Sequence, residues 1–328
     1  MDGSMQMTIR VRTPGNGRCW SWLQLGTVVL LLAAAGCEEP AITAIKRLGG
    51  KVTVDKLRSN ECIEIDLSKT NVTDMELEHL KGLARLRSLN LLGTKIGGAG
   101  LEHLKGLTEL KYLNLAGTDV TDVGVAYLKG LAELSFLDLL DTKVTDAGME
   151  CLKGFSELKY LSLAGTAVTG AGLEHLGGLA QLECLYLSGC KVNDAGLEHL
   201  KGLKNLRLLD LGFADVTDAG LQHLKGLANL ETLDLGHTKV TDSGLEHLKG
   251  LTKLKWLNVE HTKVTDAGAR TLQEALPTCE IHRAGPTAGL PSSAAIETLS
   301  DSQQQRPQPP IPFGIGNDKG AGSLYAWL

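Results

Sequence analysis

The chain has 328 residues and a formal net charge of −5, so it offers no basic surface of the kind that holds nucleic acid. Its seven cysteines form no Cys-x-x-Cys pair and no zinc spacing, so neither a disulfide framework nor a metal knuckle is indicated. Aromatic residues make up only 4% of the chain, which makes the position of each one informative.

Residues 1–37 differ in kind from the rest of the chain. Arg10, Arg12 and Arg18 precede an apolar run from Trp20 to Leu32, which ends in Ala33, Ala34, Ala35, Gly36 and Cys37. A basic region, a short apolar core and small residues at its end describe a secretory signal. The run is shorter than the roughly 20 apolar residues a membrane span needs. Cys37 after Ala-Gly resembles the lipobox of bacterial lipoproteins, with Ala34 where leucine is usual. The resemblance implies acylation at Cys37, and a membrane contact through that lipid alone. An ordinary cleaved signal and a single anchored helix are the alternatives.

Residues 38–62 read as an N-terminal cap. Ile42, Ile45 and Leu48 share one helical face, and Gly49-Gly50 stops the helix. Lys51–Val54 and then Ile63–Leu67 alternate as strands do. A cap is physically required, because the first repeat would otherwise expose its core side to water.

From residue 63 to 282 the chain repeats one 24-residue phrase about nine times, starting at Ile63, Leu86, Leu110, Leu134, Leu158, Leu182, Leu206, Leu230 and Leu254. A fixed period in the twenties means a solenoid, in which each unit buries its apolar face only against its neighbours. Leu-x-x-Leu-x-Leu predicts a short strand with leucines inward, and a valine such as Val120 or Val144 closes the turn. Thr121-Asp122 and its equivalents suit a helix N-cap. Gly-Leu-Glu-His-Leu-Lys-Gly then predicts a helix with Leu101 and Leu104 inward and Gly106 at its end. Gly97-Gly98 replaces Thr-Asp in one unit and so is a solenoid turn, not a nucleotide loop. Ala275 to His282 reads as an exit half-repeat, with Pro277 forbidding further helix.

This phrase resembles the leucine-rich repeat superfamily, and more narrowly the cysteine-containing subclass of F-box substrate receptors. That subclass carries Cys or Asn where this chain has Thr94, Thr118, Thr142, Thr166, Thr238 and Thr262; Cys190 restores the family residue and Ala214 departs from both. With the signal and the Thr-Asp-Ala-Gly-Leu wording, the chain also resembles secreted repeat proteins of planctomycete-type bacteria. The resemblance implies an α/β horseshoe with a parallel sheet on the concave face and short helices on the convex one. It also implies non-enzymatic protein binding. A ubiquitin-ligase substrate receptor would need an F-box, and the span from Glu38 to Asn60 is too short for one. A structural envelope protein that packs with itself is the other alternative.

Residues 283–328 turn to Gly, Pro, Ser and Gln, a composition that cannot bury enough surface to fold. The terminal Leu324, Tyr325, Ala326, Trp327 and Leu328 read as a frayed apolar end.

The functional signal lies between the strand leucines, whose neighbours alternate to the concave side. One column reads Ser88, Tyr112, Phe136, Tyr160, Cys184, Leu208, Thr232, Trp256; the next reads Asn90, Asn114, Asp138, Ser162, Tyr186, Asp210, Asp234, Asn258. Phe213, His237, Glu260 and His261 continue the face at its edge. Of about eight aromatics in the array, Tyr112, Phe136, Tyr160, Tyr186, Phe213 and Trp256 fall here. Aromatic anchors among acidic and amide groups are the composition of a binding surface. With strands about 4.8 Å apart the face is roughly 40 Å long, suited to a protein or an extended polymer. The expected partner-binding residues are Tyr112, Phe136, Asp138, Tyr160, Tyr186, Asp210, Phe213, Asp234, Trp256 and His261. The opposing view is that aromatics favour strands anyway and merely fill exposed positions.

His79, His103, His175, His199, His223 and His247 recur once per helix, beside Glu, and read as solvated letters of the repeat, not as metal ligands. Lipase-type Gly-x-Ser-x-Gly, phosphate-loop, HExxH and kinase signatures are missing from the sequence. The expectation is an exported, envelope-located binding protein with no enzymatic activity, metal or cofactor.

Overall fold

The computed structural model describes residues 40–55 and 62–283. The signal with Cys37 and, beyond Arg283, the C-terminal tail lie outside them.

Residues 40–47 are helical (α1) and open the array. Ile45 is buried, with Ala41 and Leu48 packed beside the core. Gly49 stops the helix in the left-handed conformation, and at Gly50 a β-carbon would strike Ile45 and Leu67, so the chain passes there only as glycine. Strand β1 (Lys51–Asp55) pairs antiparallel with β2 (Cys62–Asp66), with Val52 opposite Ile65. From β2 onward every pairing is parallel and the strand order is the chain order.

The remaining strands are β3 (Leu86–Asn90), β4 (Tyr112–Asn114), β5 (Phe136–Asp138), β6 (Tyr160–Ser162), β7 (Cys184–Tyr186), β8 (Leu208–Asp210), β9 (Thr232–Asp234), β10 (Trp256–Asn258) and β11 (Glu280–His282). Leu89, Leu113, Leu137, Leu161, Leu185, Leu209, Leu233 and Leu257 stand in one register row across the sheet. All eight are fully buried. Each such leucine contributes roughly 1.5–3 kcal/mol by the area it removes from water. Because they touch only their own and adjacent units, the core is continuous along the array and has no centre.

The helical word does not form one helix. It is a lone α-turn in α2 (Asp122–Ala126), an α-turn followed by a 3₁₀ turn such as Glu150–Gly154 in four units, α3 (Asp146–Met149), α4 (Asp194–Leu197), α5 (Asp218–Leu221) and α6 (Asp242–Leu245), and a 3₁₀ turn alone in three, Glu76–Leu80, Ala99–Leu104 and Gly172–Leu176. Gly106 is not left-handed, whereas Gly82 and Gly130 in the same place are. Helices this short are unstable alone, so their geometry must come from neighbouring units. Only the last, α7 (Asp266–Ala275), is a longer helix, and it closes the array before Pro277 and β11.

Thr-Asp supplies the link. Thr145 is an N-cap residue as expected, its Oγ1 accepting from the Ala147 N–H at 3.3 Å. The aspartate acts across units. Asp122 accepts from both the Thr145 N–H and its hydroxyl at 2.7 Å, and Asp146 does the same for Thr169 at 2.7 and 2.6 Å. Asp194, Asp218 and Asp242 repeat this with Thr217, Thr241 and Thr265. A β-carbon at Gly148 would lie 2.6 Å from Asp122 Oδ1, so the glycine leaves room for the carboxylate. Where Gly170 replaces the aspartate, the next unit has Asn193, which caps its own helix by accepting from the Gly196 N–H at 3.1 Å.

Candidate strand-face site

Alternation in the strands points Tyr112, Phe136 and Tyr160 away from the leucine core, into register with one another. Their rings form a ladder: Tyr112 to Phe136 at 4.2 Å and Phe136 to Tyr160 at 4.1 Å between centroids, within 16° of parallel. Tyr186, from the second column, continues it at 5.3 Å and 42°. Burial among these neighbours raises the hydroxyl pKa of Tyr160 and Tyr186, so both remain neutral donors.

The second column is largely structural. Asn114 Oδ1 accepts from the Ala116 N–H at 2.9 Å, and Asp138 Oδ1 from the Leu140 N–H at 3.0 Å. Asp210 takes the Gly212 N–H at 2.9 Å, and Asn258 the Glu260 N–H at 2.9 Å. These turns, in which an Asn or Asp side chain bonds the backbone two residues on, end the strands that carry Asn or Asp in this column; β6 and β7 end on Ser162 and Tyr186 instead. Asp234 is only 8% exposed; its Oδ1 accepts from the Gly236 N–H at 2.8 Å and from Asn258 Nδ2 at 2.9 Å. Burial raises the pKa of Asp138. Asp138, Asp210 and Asp234 therefore serve the fold first, whatever else their outer oxygens do. Cys184 and Leu208, expected on the open face, are 2% and 7% exposed instead. Burial pushes the Cys184 thiol up to about 12, so it is no nucleophile at neutral pH.

A second stack lies where the chain leaves the strands. Phe213 and His237 are 4.1 Å apart and 10° from parallel, and His237 and His261 are 4.2 Å and 21°. All three residues are left-handed, with φ of 60°, 59° and 56°. The same turn position in earlier units holds Lys69, Gly93, Gly117, Asp141, Gly165 and Gly189, also at positive φ. The turn keeps this shape because its N–H donates to the next unit: Phe213 to the Gly236 carbonyl and His237 to the Glu260 carbonyl, both at 2.9 Å. A left-handed L-residue costs about 1–2 kcal/mol, and glycine avoids that cost at four of the positions. Trp256 stands apart from both stacks and meets His282 at 5.3 Å. Sequence reasoning placed Phe213, His237 and His261 at the edge of the face but missed their stacking. The signal was present: glycines at the same 24-residue register mark a left-handed position.

At the other end of the strands, Gln181, Glu183, Asn205, Arg207, Asn229, Glu231 and Lys253 line a shallow polar groove of about 360 Å³. Its charges pair internally: Arg207 reaches Glu231 at 2.7 Å and Glu183 at 3.7 Å, and Lys255 reaches Glu231 at 2.6 Å. Lys255 first, then Arg207, holds the Glu231 carboxyl below its ordinary pKa. On the helix side His79 and His199 are exposed as expected, whereas His103, His175, His223 and His247 are half-buried. Nδ1 of both His175 and His223 is enclosed without a hydrogen-bond partner. Among the described residues, no group of three or more His, Cys, Asp or Glu side chains is arranged to hold a metal ion. No described helix is long and apolar enough to cross a membrane.

A sheet parallel from β2 onward, a leucine core shared between units and short helices behind it define a leucine-rich repeat solenoid. Sequence comparison agrees: leucine rich repeat family models match residues 204–264, 107–129 and 181–201. Over those residues the chain carries leucine-rich repeats. A leucine-rich repeat protein of Leptospira interrogans is similar over 66% of this chain and 59% of its own, at 20% identity and a TM-score of 0.50. Internalin C2 of Listeria monocytogenes matches 67% of this chain and 80% of its own, at 24% identity and a TM-score of 0.46. At such identity the Leptospira likeness speaks for the fold alone. No curated protein sequence gives a significant match.

Proposed function

We propose that this is a non-enzymatic protein-binding module, exported and attached to an envelope membrane by acylation of Cys37, with the strand side as its working face. The observation that carries the reading is the ladder of Tyr112, Phe136, Tyr160 and Tyr186. Rigid aromatic side chains lose little entropy on binding and dominate interface energetics. The ladder also favours a protein over a polysaccharide. Stacking of a sugar needs an open ring face, and the inner rings give theirs to each other. What they present is edges and tyrosine hydroxyls, which suit protein side chains and backbone carbonyls.

The test replaces the ladder with residue types the same column already carries at Ser88 and Thr232: Tyr112→Ser, Phe136→Thr and Tyr160→Thr together. The full chain and this variant are used to capture partners from envelope extract. The reading expects a discrete protein retained by the parent and lost by a still-folded variant. Equal retention refutes it. Labelled fatty acid recovered on Cys37, and lost in Cys37→Ser, checks the anchor separately.

A further inference from the structure

The Phe213–His237–His261 stack stops abruptly on one side. His237 covers one face of Phe213. On the other side the next two turn positions are Gly189 and Gly165, which have no side chains, and Phe213 is 41% exposed. A β-carbon added at Gly189 would meet nothing nearer than Gly165 backbone, at 3.7 Å. The opening ends one unit further on. There the carboxylate of Asp141 leans over Gly165, its Cγ 3.1 Å from where a β-carbon would stand. An open aromatic face and a carboxylate thus bound a glycine-floored gap. From the Phe213 turn to the Gly165 turn is two strand spacings, roughly 10 Å. That leaves room for one flat layer at the stacking separation the rings already show.

We infer that the gap over Gly189, between Phe213 and Asp141, receives an arginine side chain from a protein partner. The charge requirement comes from both walls: the ring face is the negative side of its quadrupole, and Asp141 is an acid. The shape requirement selects guanidinium over ammonium, because a planar cation continues the stack and also presents N–H groups to the carboxylate. The backbone gives the gap its meaning. Phe213 holds a conformation that glycine would adopt without strain, and such outliers persist where the side chain is wanted. The inference rests on the strand side facing a protein, but it is tested apart from that reading.

The probes are N-acetyl-Gly-Arg-Gly-amide and its lysine and citrulline counterparts, titrated into the full chain while the ring signals of Phe213, His237 and His261 are followed by NMR. Citrulline keeps the planar shape and removes the charge. The expected result is saturable, millimolar-range binding of the arginine peptide, several-fold weaker binding with lysine and at least tenfold weaker binding with citrulline. Two variants complete the test. Phe213→Gly removes the wall and relaxes the turn; Gly189→His fills the gap with a side chain already tolerated in this conformation at His237 and His261. Both should weaken arginine binding at least tenfold. If Gly189→His fails to fold, Phe213→Gly decides alone. Equal binding of arginine and citrulline peptides, or unchanged binding in folded variants, overturns the inference. Arginine binding that survives alongside normal partner capture by the ladder variant would instead sink the proposed face and leave the gap standing.

Discussion

The two aromatic stacks look alike and mean different things. Tyr112, Phe136 and Tyr160 stand on ordinary strand backbone, where aromatic residues are favoured in any case. Their stacking follows from register, since equal positions in parallel strands lie one spacing apart. Phe213, His237 and His261 stand on left-handed backbone, where four equivalent positions carry glycine. The first stack stabilises its host. The second is held against a local preference, and so it is the stronger pointer to selection for something other than folding.

Mutations should separate the two. The largest effect is expected from the floor beneath the first stack. Leu161→Ala should cost about 2–5 kcal/mol in denaturant unfolding, and ring signals of Phe136 and Tyr160 should move while those of His237 and His261 stay, because units couple to their neighbours. Phe136→Thr should be smaller. Two ring contacts worth about 0.5–1.5 kcal/mol each give a loss of about 1–3 kcal/mol, read as a lowered melting temperature. Phe213→Gly should differ in kind: relief of about 1–2 kcal/mol of left-handed strain offsets the lost stacking, leaving stability within about 1 kcal/mol of the parent. A loss as large as that of Phe136→Thr would erase the distinction.

The smallest effect concerns pH. Asp138 sits beside the first stack with its pKa raised by burial. Its contribution to stability is therefore complete below the unfolded value, near 3.9, and is lost as pH rises through the folded value. Asp138→Asn keeps the acceptor for the Leu140 N–H, as Asn114 does for Ala116. It should be more stable than the parent at pH 7, with the gain vanishing in acid. A gain that persists at pH 3 would assign it to something other than ionisation.

Much of this architecture was legible because the repeat aligns itself: leucine spacing gave the strands, their inward faces and the ladder column. What stayed hidden depends on bonds between units. Asp122 looked like part of a local cap with Thr121, yet its partner is Thr145 in the next unit. The helical word looked like one helix, but Gly148, required by that carboxylate, sits inside it and the segment breaks into an α-turn and a 3₁₀ turn. Alternation put Cys184, Leu208 and Asp234 on the open face, yet all three are buried, Asp234 holding the Gly236 N–H and Asn258 Nδ2. Alternation tells direction, not coverage.

The most direct test of the strand side as the working face is a pair of photo-crosslinking variants of the full chain, benzoylphenylalanine at Phe136 and at Glu174 on the helix side, irradiated in envelope extract. A discrete protein adduct is expected at 136 and none at 174. An adduct at 174 with none at 136 would contradict this.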